Sequence, residues 1–299
     1  MRVFITGATG WVGSVLVKEL VEAGHRVVGL VRSEAKSRVL SVLGGEPLLG
    51  SLSDIDTLTK GANDAEAIIH TAFGRGLGQS TAFAEAARED RQAIETFGNA
   101  FAGSDRPILV TGGIGVLPHG QVFTEETPLA PMSPVFPRAS EQAAAALAER
   151  GLRATTVRLP RCVHGAGETH GFVPQLMALA RQKGVCGYIG DGQNLWPSVH
   201  RLDAARVYRL ALESGGNGGP FHAVAEEGIP FRRIAEAIGR RLDLPAKSIA
   251  PDDAAEHFGA LVMPVRGNGP VSNLQTRERL EWQPRELDLI ADIDQNYSA

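Results

Sequence analysis

The chain has 299 residues, 43% of them apolar and 21% charged, so it can bury a large core and is not a disordered polymer. Thirty Lys and Arg against 34 Asp and Glu give a net charge of −4 with no basic tract, which argues against a nucleic-acid partner. The two cysteines, Cys162 and Cys186, can build neither a disulfide framework nor a metal cluster of their own.

The chain opens MRVFITGATG, with no room for a leader before the first apolar run, and no window approaches the ~18 consecutive apolar residues of a membrane span. A mature, soluble, cytoplasmic protein is therefore expected. Val3–Thr6 is expected to be a buried strand. A helix over Trp11–Glu22 follows, with Val12, Val15, Leu16 and Leu20 on one stripe. Next come a strand at Arg26–Val31, a helix at Glu34–Leu43 stopped by Gly44-Gly45, a strand at Glu46–Leu49 and a short helix at Asp54–Lys60. Ala67–Thr71 is the fourth strand, Ser80–Ala102 a long helix that offers a homodimer face, and Pro107–Thr111 the fifth strand. A helix at Ser140–Arg150 and a sixth strand at Ala154–Leu159 complete the alternation. Fully apolar strands alternating with helices predict an α/β fold: a doubly wound parallel sheet with helices on both faces. Beyond residue 160 glycine and proline become frequent, and helices at Phe172–Gln182, Asp203–Leu212 and Phe231–Arg241 are interspersed with short strands. Residues 1–160 are expected to bind the nucleotide. Residues 161–299 are expected to form a smaller, interleaved substrate-binding region of the same compact unit. The segment from Gly112 to Arg138 carries five prolines and little periodicity, as long functional loops do.

Gly7-Ala8-Thr9-Gly10-Trp11-Val12-Gly13 lies between the first strand and the first helix. Gly7 permits the tight turn, Gly10 lets the backbone approach a pyrophosphate, and Gly13 allows the helix to pack on the strand. The helix N-terminus then offers N–H groups and a positive dipole to the phosphates. The second strand ends Val31-Arg32-Ser33, where an NAD site places an acid on the ribose hydroxyls. A carboxylate would repel a 2′-phosphate and a guanidinium would pair with it, so Arg32 and Ser33 argue for NADP(H).

In TGATGWVG, GSLSD, AIIHTAF, RLPRCVHGAG, WPSVHRLDAARVYRLAL and FHAVAEEGIPFRRIAEAIGRRL the sequence resembles the extended and atypical branches of the short-chain dehydrogenase/reductase superfamily, over nearly its whole length. The resemblance implies a Rossmann nucleotide-binding fold. It places Ser51 and Leu52 by the adenine, runs Thr71, Ala72 and Phe73 along the cofactor, and sets Pro160 and Val163 beside the nicotinamide. The superfamily's catalytic Ser, Tyr and Lys do not carry over: the alignment puts Gly113, Pro137 and Glu141 in their places. No tyrosine precedes Tyr188 to restore the set.

Hydride addition to a carbonyl builds an alkoxide that must be protonated or stabilised. The residues expected to serve are His164 as a general acid, Arg138 as an oxyanion or carboxylate partner, and Thr111 as a hydroxyl donor. Gly113, His119, His170, Phe172, Trp196 and His200 are expected around the substrate. There is no G-x-S-x-G elbow for a serine hydrolase and no histidine spacing suited to a metal. The expected activity is NADPH-dependent reduction of a small carbonyl or imine compound. The alternatives are a non-catalytic NADP(H)-binding redox sensor, or an epimerase or dehydratase acting on nucleotide sugars.

Overall fold

Strands that carry side chains without charge on both faces must be covered on both faces, and the first half of the chain is built that way. The computed structural model describes residues 1–74, 80–114, 121–128 and 139–298. In chain order its first half runs β1 (Arg2–Thr6), α1 (Gly13–Glu22), β2 (Arg26–Val31), α2 (Glu34–Val42), β3 (Glu46–Leu49), α3 (Ile55–Asn63), β4 (Ala67–His70), α4 (Ser80–Ala100), β5 (Ile108–Gly113), α5 (Ser140–Glu149) and β6 (Ala154–Leu159). The second half runs β7 (Cys162–His164), α6 (Phe172–Lys183), β8 (Cys186–Ile189), β9 (Leu195–His200), α7 (Arg201–Glu213), β10 (Phe221–His222), β11 (Glu226–Pro230), α8 (Phe231–Leu242), β12 (Ala246–Ile249), α9 (Ala254–Phe258), α10 (Val262–Arg266), α11 (Leu274–Leu280) and α12 (Leu289–Asn296).

The main sheet has seven strands in the order β10-β6-β5-β4-β1-β2-β3, every pair parallel. This is the doubly wound α/β architecture expected from the alternation. One face packs on α1 and α7 through Leu16, Leu20, Tyr208 and Leu212. The other packs on α3, α4 and α5 through Leu58, Ile94, Phe97 and Leu147. Order changes sides at β1 and β4, and this switch point opens the crevice at the carboxyl edge, where the glycine loop sits. The helix expected from Trp11 starts two residues later, because Thr9–Val12 forms the turn that delivers the chain to α1.

The region after residue 160 returns to the first layer. α7 lies on α1, and β10 adds the seventh strand beside β6. The remaining strands form a three-stranded sheet, β11-β9-β7, and a two-stranded one, β12-β8. They enclose a second core of Val173, Trp196, Phe231, Ile234 and Ile293. Cys162 and Cys186 are free thiols buried in it, and burial pushes both up. No helix among the described residues is long and apolar enough to cross a membrane.

Candidate functional site

The glycine loop meets the geometric demands of a dinucleotide. Gly7 has φ +74°, and a Cβ there would lie 2.7 Å from Thr71 Oγ1 and 2.8 Å from the Ala72 nitrogen. A Cβ on Gly13 would sit 2.0 Å from the Gly7 carbonyl oxygen, so only glycine lets α1 close on β1. Gly10 donates to the Gly7 carbonyl at 2.8 Å and stays exposed, leaving backbone open to a phosphate. Thr9, Trp11 and Val12 are half-buried around it, at the end of α1 where N–H groups lack helical acceptors. The residues present therefore fit a dinucleotide. Gly13→Ala is expected to abolish cofactor binding and to lower the melting temperature, because backbone, not a flexible side chain, blocks the added methyl. Equal NADPH binding by the variant in a fluorescence titration would refute this.

The rest of the expected cofactor set lines the same edge. Arg32 is exposed just beyond β2 and makes no ion pair with a described residue. Ser33 caps α2 by accepting the Lys36 N–H at 3.4 Å. Ser51 shares a 2.9 Å hydrogen bond with Ser53, and Leu52 packs on the core beneath. Thr71 donates to the Thr6 carbonyl at 2.9 Å, Ala72 follows at the strand end, and Phe73 lies against Phe83. Pro160 is buried, and the Val163 carbonyl accepts the Trp11 indole N–H at 2.8 Å.

At the end of β5, Gly113 is exposed, and a Cβ there would meet no atom of the described residues within 4 Å. Thr111 is not open in this way. Its hydroxyl donates to the His70 carbonyl at 2.8 Å and lies 2.7 Å from the Tyr208 phenol, so it is spent inside the fold. Glu141 on α5 is gripped by Arg158, whose Nε donates to its two oxygens at 2.9 and 3.1 Å. Arg158 also donates to the carbonyls of Thr124, Glu125 and Thr127, fastening that segment to β6. Burial pushes His222 down to about 4, with the Arg158 charge acting in the same direction. The neutral ring accepts from Arg158 at 3.2 Å while its other nitrogen donates to the Ser272 carbonyl at 2.7 Å. Arg138 and His119 lie outside the described residues, as does Pro137.

The wall built by β7, α7 and α12 corrects several expectations. His164 is 1% exposed, and its Nδ1 sits 2.7 Å from Asp292, which is fully buried on α12. A ring enclosed in this way anchors a helix and has no face open to a substrate carbonyl. Burial pushes the Asp292 carboxyl up, but hydrogen bonds from His164 and Asn296 and the histidine charges outweigh it and hold it below the ordinary 3.8. His200 caps α7, its Nδ1 accepting the Leu202 N–H at 3.3 Å, and burial with the neighbouring His164 keeps it below its ordinary range. Trp196 is fully buried between Phe172 and Phe231, so it is core and not pocket wall; Phe172 is half-buried against it. His170 is exposed on the loop before α6.

Further polar groups near this edge were not singled out in the sequence. Glu168 accepts the Tyr297 hydroxyl, and burial, with Asp292 nearby, raises its carboxyl to about 7 despite that hydrogen bond and the His164 and Arg201 charges. Arg201 stacks its guanidinium 4.0 Å above the Trp11 ring. Beneath the sheet edge His70 lies 2.6 Å from the Thr6 hydroxyl and 3.0 Å from Asp90, which accepts the Ser140 hydroxyl at 2.6 Å. That buried chain ties the glycine-loop strand to α4 and α5.

Residues 3–224 match the NAD dependent epimerase/dehydratase family. The chain belongs to this family. Among family relatives, an uncharacterized protein of Schizosaccharomyces pombe is 44% identical over 293 residues, with 98% of each chain covered. A 4-hydroxy-2-methyl-3-oxo-4-farnesyl-3,4-dihydroquinoline-1-oxide ketoreductase of Stigmatella aurantiaca is 30% identical over 233 residues, 73% of this chain and 66% of that one. In fold the chain is similar to the dTDP-glucose 4,6-dehydratase DesIV of Streptomyces venezuelae, solved with NAD and TYD bound. The TM-score is 0.77 at 19% identity, over 99% of this chain and 95% of that one.

Proposed function

We propose that this family member is an NADPH-dependent oxidoreductase that reduces a small carbonyl or imine compound without the superfamily's Tyr–Lys pair. The observation that carries the cofactor choice is Arg32, an exposed guanidinium at the end of β2 where an NAD site keeps an acid. The ketoreductase among the relatives supports reduction as the direction of the chemistry.

The nicotinamide, when bound, supplies the hydride. Gly7, Gly10 and Gly13 would hold the pyrophosphate at the start of α1, and Arg32 with Ser33 would receive the 2′-phosphate. Thr71 and Val163 flank the crevice toward the reacting end. Gly113 gives the substrate room at the end of β5, where an added Cβ would meet no described atom within 4 Å, and Glu141 stands beside it paired with Arg158. Rate enhancement then rests mainly on holding donor and acceptor together. An iminium suits such a site because it needs no proton during the addition.

The test is a fluorescence titration of NADPH and NADH, followed by absorbance at 340 nm across a panel of aldehydes, ketones and cyclic imines. Tighter binding of NADPH and its consumption with at least one class is the expected result. Tight binding with no consumption would make the chain a cofactor-binding regulator, and equal affinity for the two cofactors would overturn the NADP assignment.

A further inference from the structure

Several arginines that are buried or half-buried spend their donors on carboxylates. Arg158 binds Glu141, Arg206 binds Asp203 and Glu286, and Arg209 binds Glu19 and Glu213. Arg201, the first residue of α7, does not: it makes no hydrogen bond and no ion pair with a described residue. Burial nevertheless lowers its pKa, and the charges of Asp292 and Glu168 offset that desolvation only in part.

Its position is fixed all the same. The guanidinium lies on the Trp11 indole, and that indole is pinned by its bond to the Val163 carbonyl. The stem crosses Gly165, where φ is +152° and a Cβ would come within 3.1 Å of Arg201 Cγ and 3.3 Å of Cδ. Glycine there lets the side chain lie flat between the glycine loop and the loop that follows β7. A planar cation held by stacking, with its fork of donors unspent, is prepared for a carboxylate or a phosphate.

The acids around it do not occupy that fork. Asp292 on α12 is committed to His164 on β7 and to Asn296. Glu168 takes the Tyr297 hydroxyl and, at about 7, is largely uncharged in mildly acid solution. Asp292, Glu168 and the Tyr297 phenol are the acidic groups in its field.

We infer that Arg201 is the receptor for an oxyanion, a carboxylate or phosphate carried by the substrate, with Glu168 setting the pH range in which it binds. This rests on the reductase reading for the word substrate, but the oxyanion site stands on its own geometry. Below about pH 7 Glu168 is largely neutral, which leaves Asp292 as the ionised acid in the field of the guanidinium. Above it the ionised Glu168 carboxylate adds a second negative charge that repels the ligand.

The experiment is calorimetric titration of oxalate and of inorganic phosphate into the protein, with and without saturating NADP+, near pH 6 and near pH 8.5. The wild type should bind one oxyanion, and oxalate, a dianion at both pH values, more weakly at the higher one. Arg201→Met should weaken it on the order of 10²-fold, as losing charge-assisted hydrogen bonds does, and leave NADPH affinity unchanged. Glu168→Gln should bind oxalate equally at both pH values. Absence of oxyanion binding by the wild type would overturn the inference, as would a full-strength site in Arg201→Met. An Arg201→Met variant that loses NADPH, with oxyanions excluded from the NADP+ complex, would assign the guanidinium to the cofactor pyrophosphate instead. Persisting pH dependence of oxalate binding in Glu168→Gln would remove that residue's role. If the wild type binds oxyanions through Arg201 but no NADPH, the reductase reading falls and the receptor stands.

Discussion

Replacing His164 with alanine should cost the fold about 3 kcal/mol, because it strips a fully buried carboxylate of its partner. Asp292 would retain only the Asn296 amide at 2.6 Å, and α12 would lose its tie to β7. For a chain of this size the melting temperature should fall on the order of 5 °C. Removing both groups should be milder than the sum of the single changes, since His164→Ala with Asp292→Ala leaves no charge stranded. The pH dependence follows from the lowered Asp292 value. Its ionised form is stabilised in the folded state, so the contribution is present above 3.8 and is lost as pH falls through the depressed folded value. A His164→Ala protein that melts like the wild type but reduces aldehydes roughly 10²-fold more slowly would instead restore His164 to the chemistry as a general acid.

That contrast shows which information lies in the order of residues. The first six strands of the main sheet and their helices were legible because parallel strands buried on both faces leave runs such as Ile5, Ile68-Ile69 and Leu109-Val110 with no charge among them. The glycine loop was legible because each glycine answers a local backbone demand, and Gly7 and Gly13 are where an added Cβ would strike backbone. The short strands after residue 160 were not, because two- to six-residue segments with glycine and proline carry too little period. The duties of the polar residues were hidden for another reason. His164 meets a carboxylate 128 positions away, Thr111 meets a phenol 97 positions away, and Trp11 meets a carbonyl 152 positions away. No spacing rule reaches that far. Histidine beside a glycine-rich loop therefore read as a donor, whereas the fold uses it to hold α12. Glu168 and Arg201 passed unnoticed because an acid in a loop and an arginine at a helix start are ordinary until Tyr297 and Trp11 are seen against them.

Arg32→Asp should lower NADPH affinity on the order of 10²-fold and leave NADH binding equal or improved, so that the preference inverts. The wild-type guanidinium is exposed at the carboxyl end of β2, with Ser33 directly after it starting α2. It has no carboxylate to leave among the described residues, so pairing with a 2′-phosphate breaks no existing ion pair. Two charge-assisted hydrogen bonds in a fork would supply most of the discrimination. Aspartate removes both and places a like charge against the phosphate, while its oxygens can accept from the free ribose hydroxyls of NADH. Arg32→Lys separates charge from geometry: a point charge keeps the sign of the preference but loses the fork, so its affinity for NADPH should fall between the two. Raising the salt concentration should erode the wild-type preference, because the pair is exposed and screened. If Arg32→Asp binds both cofactors as the wild type does, the 2′-phosphate is not held at the end of β2, and the NADP assignment loses the residue that carries it.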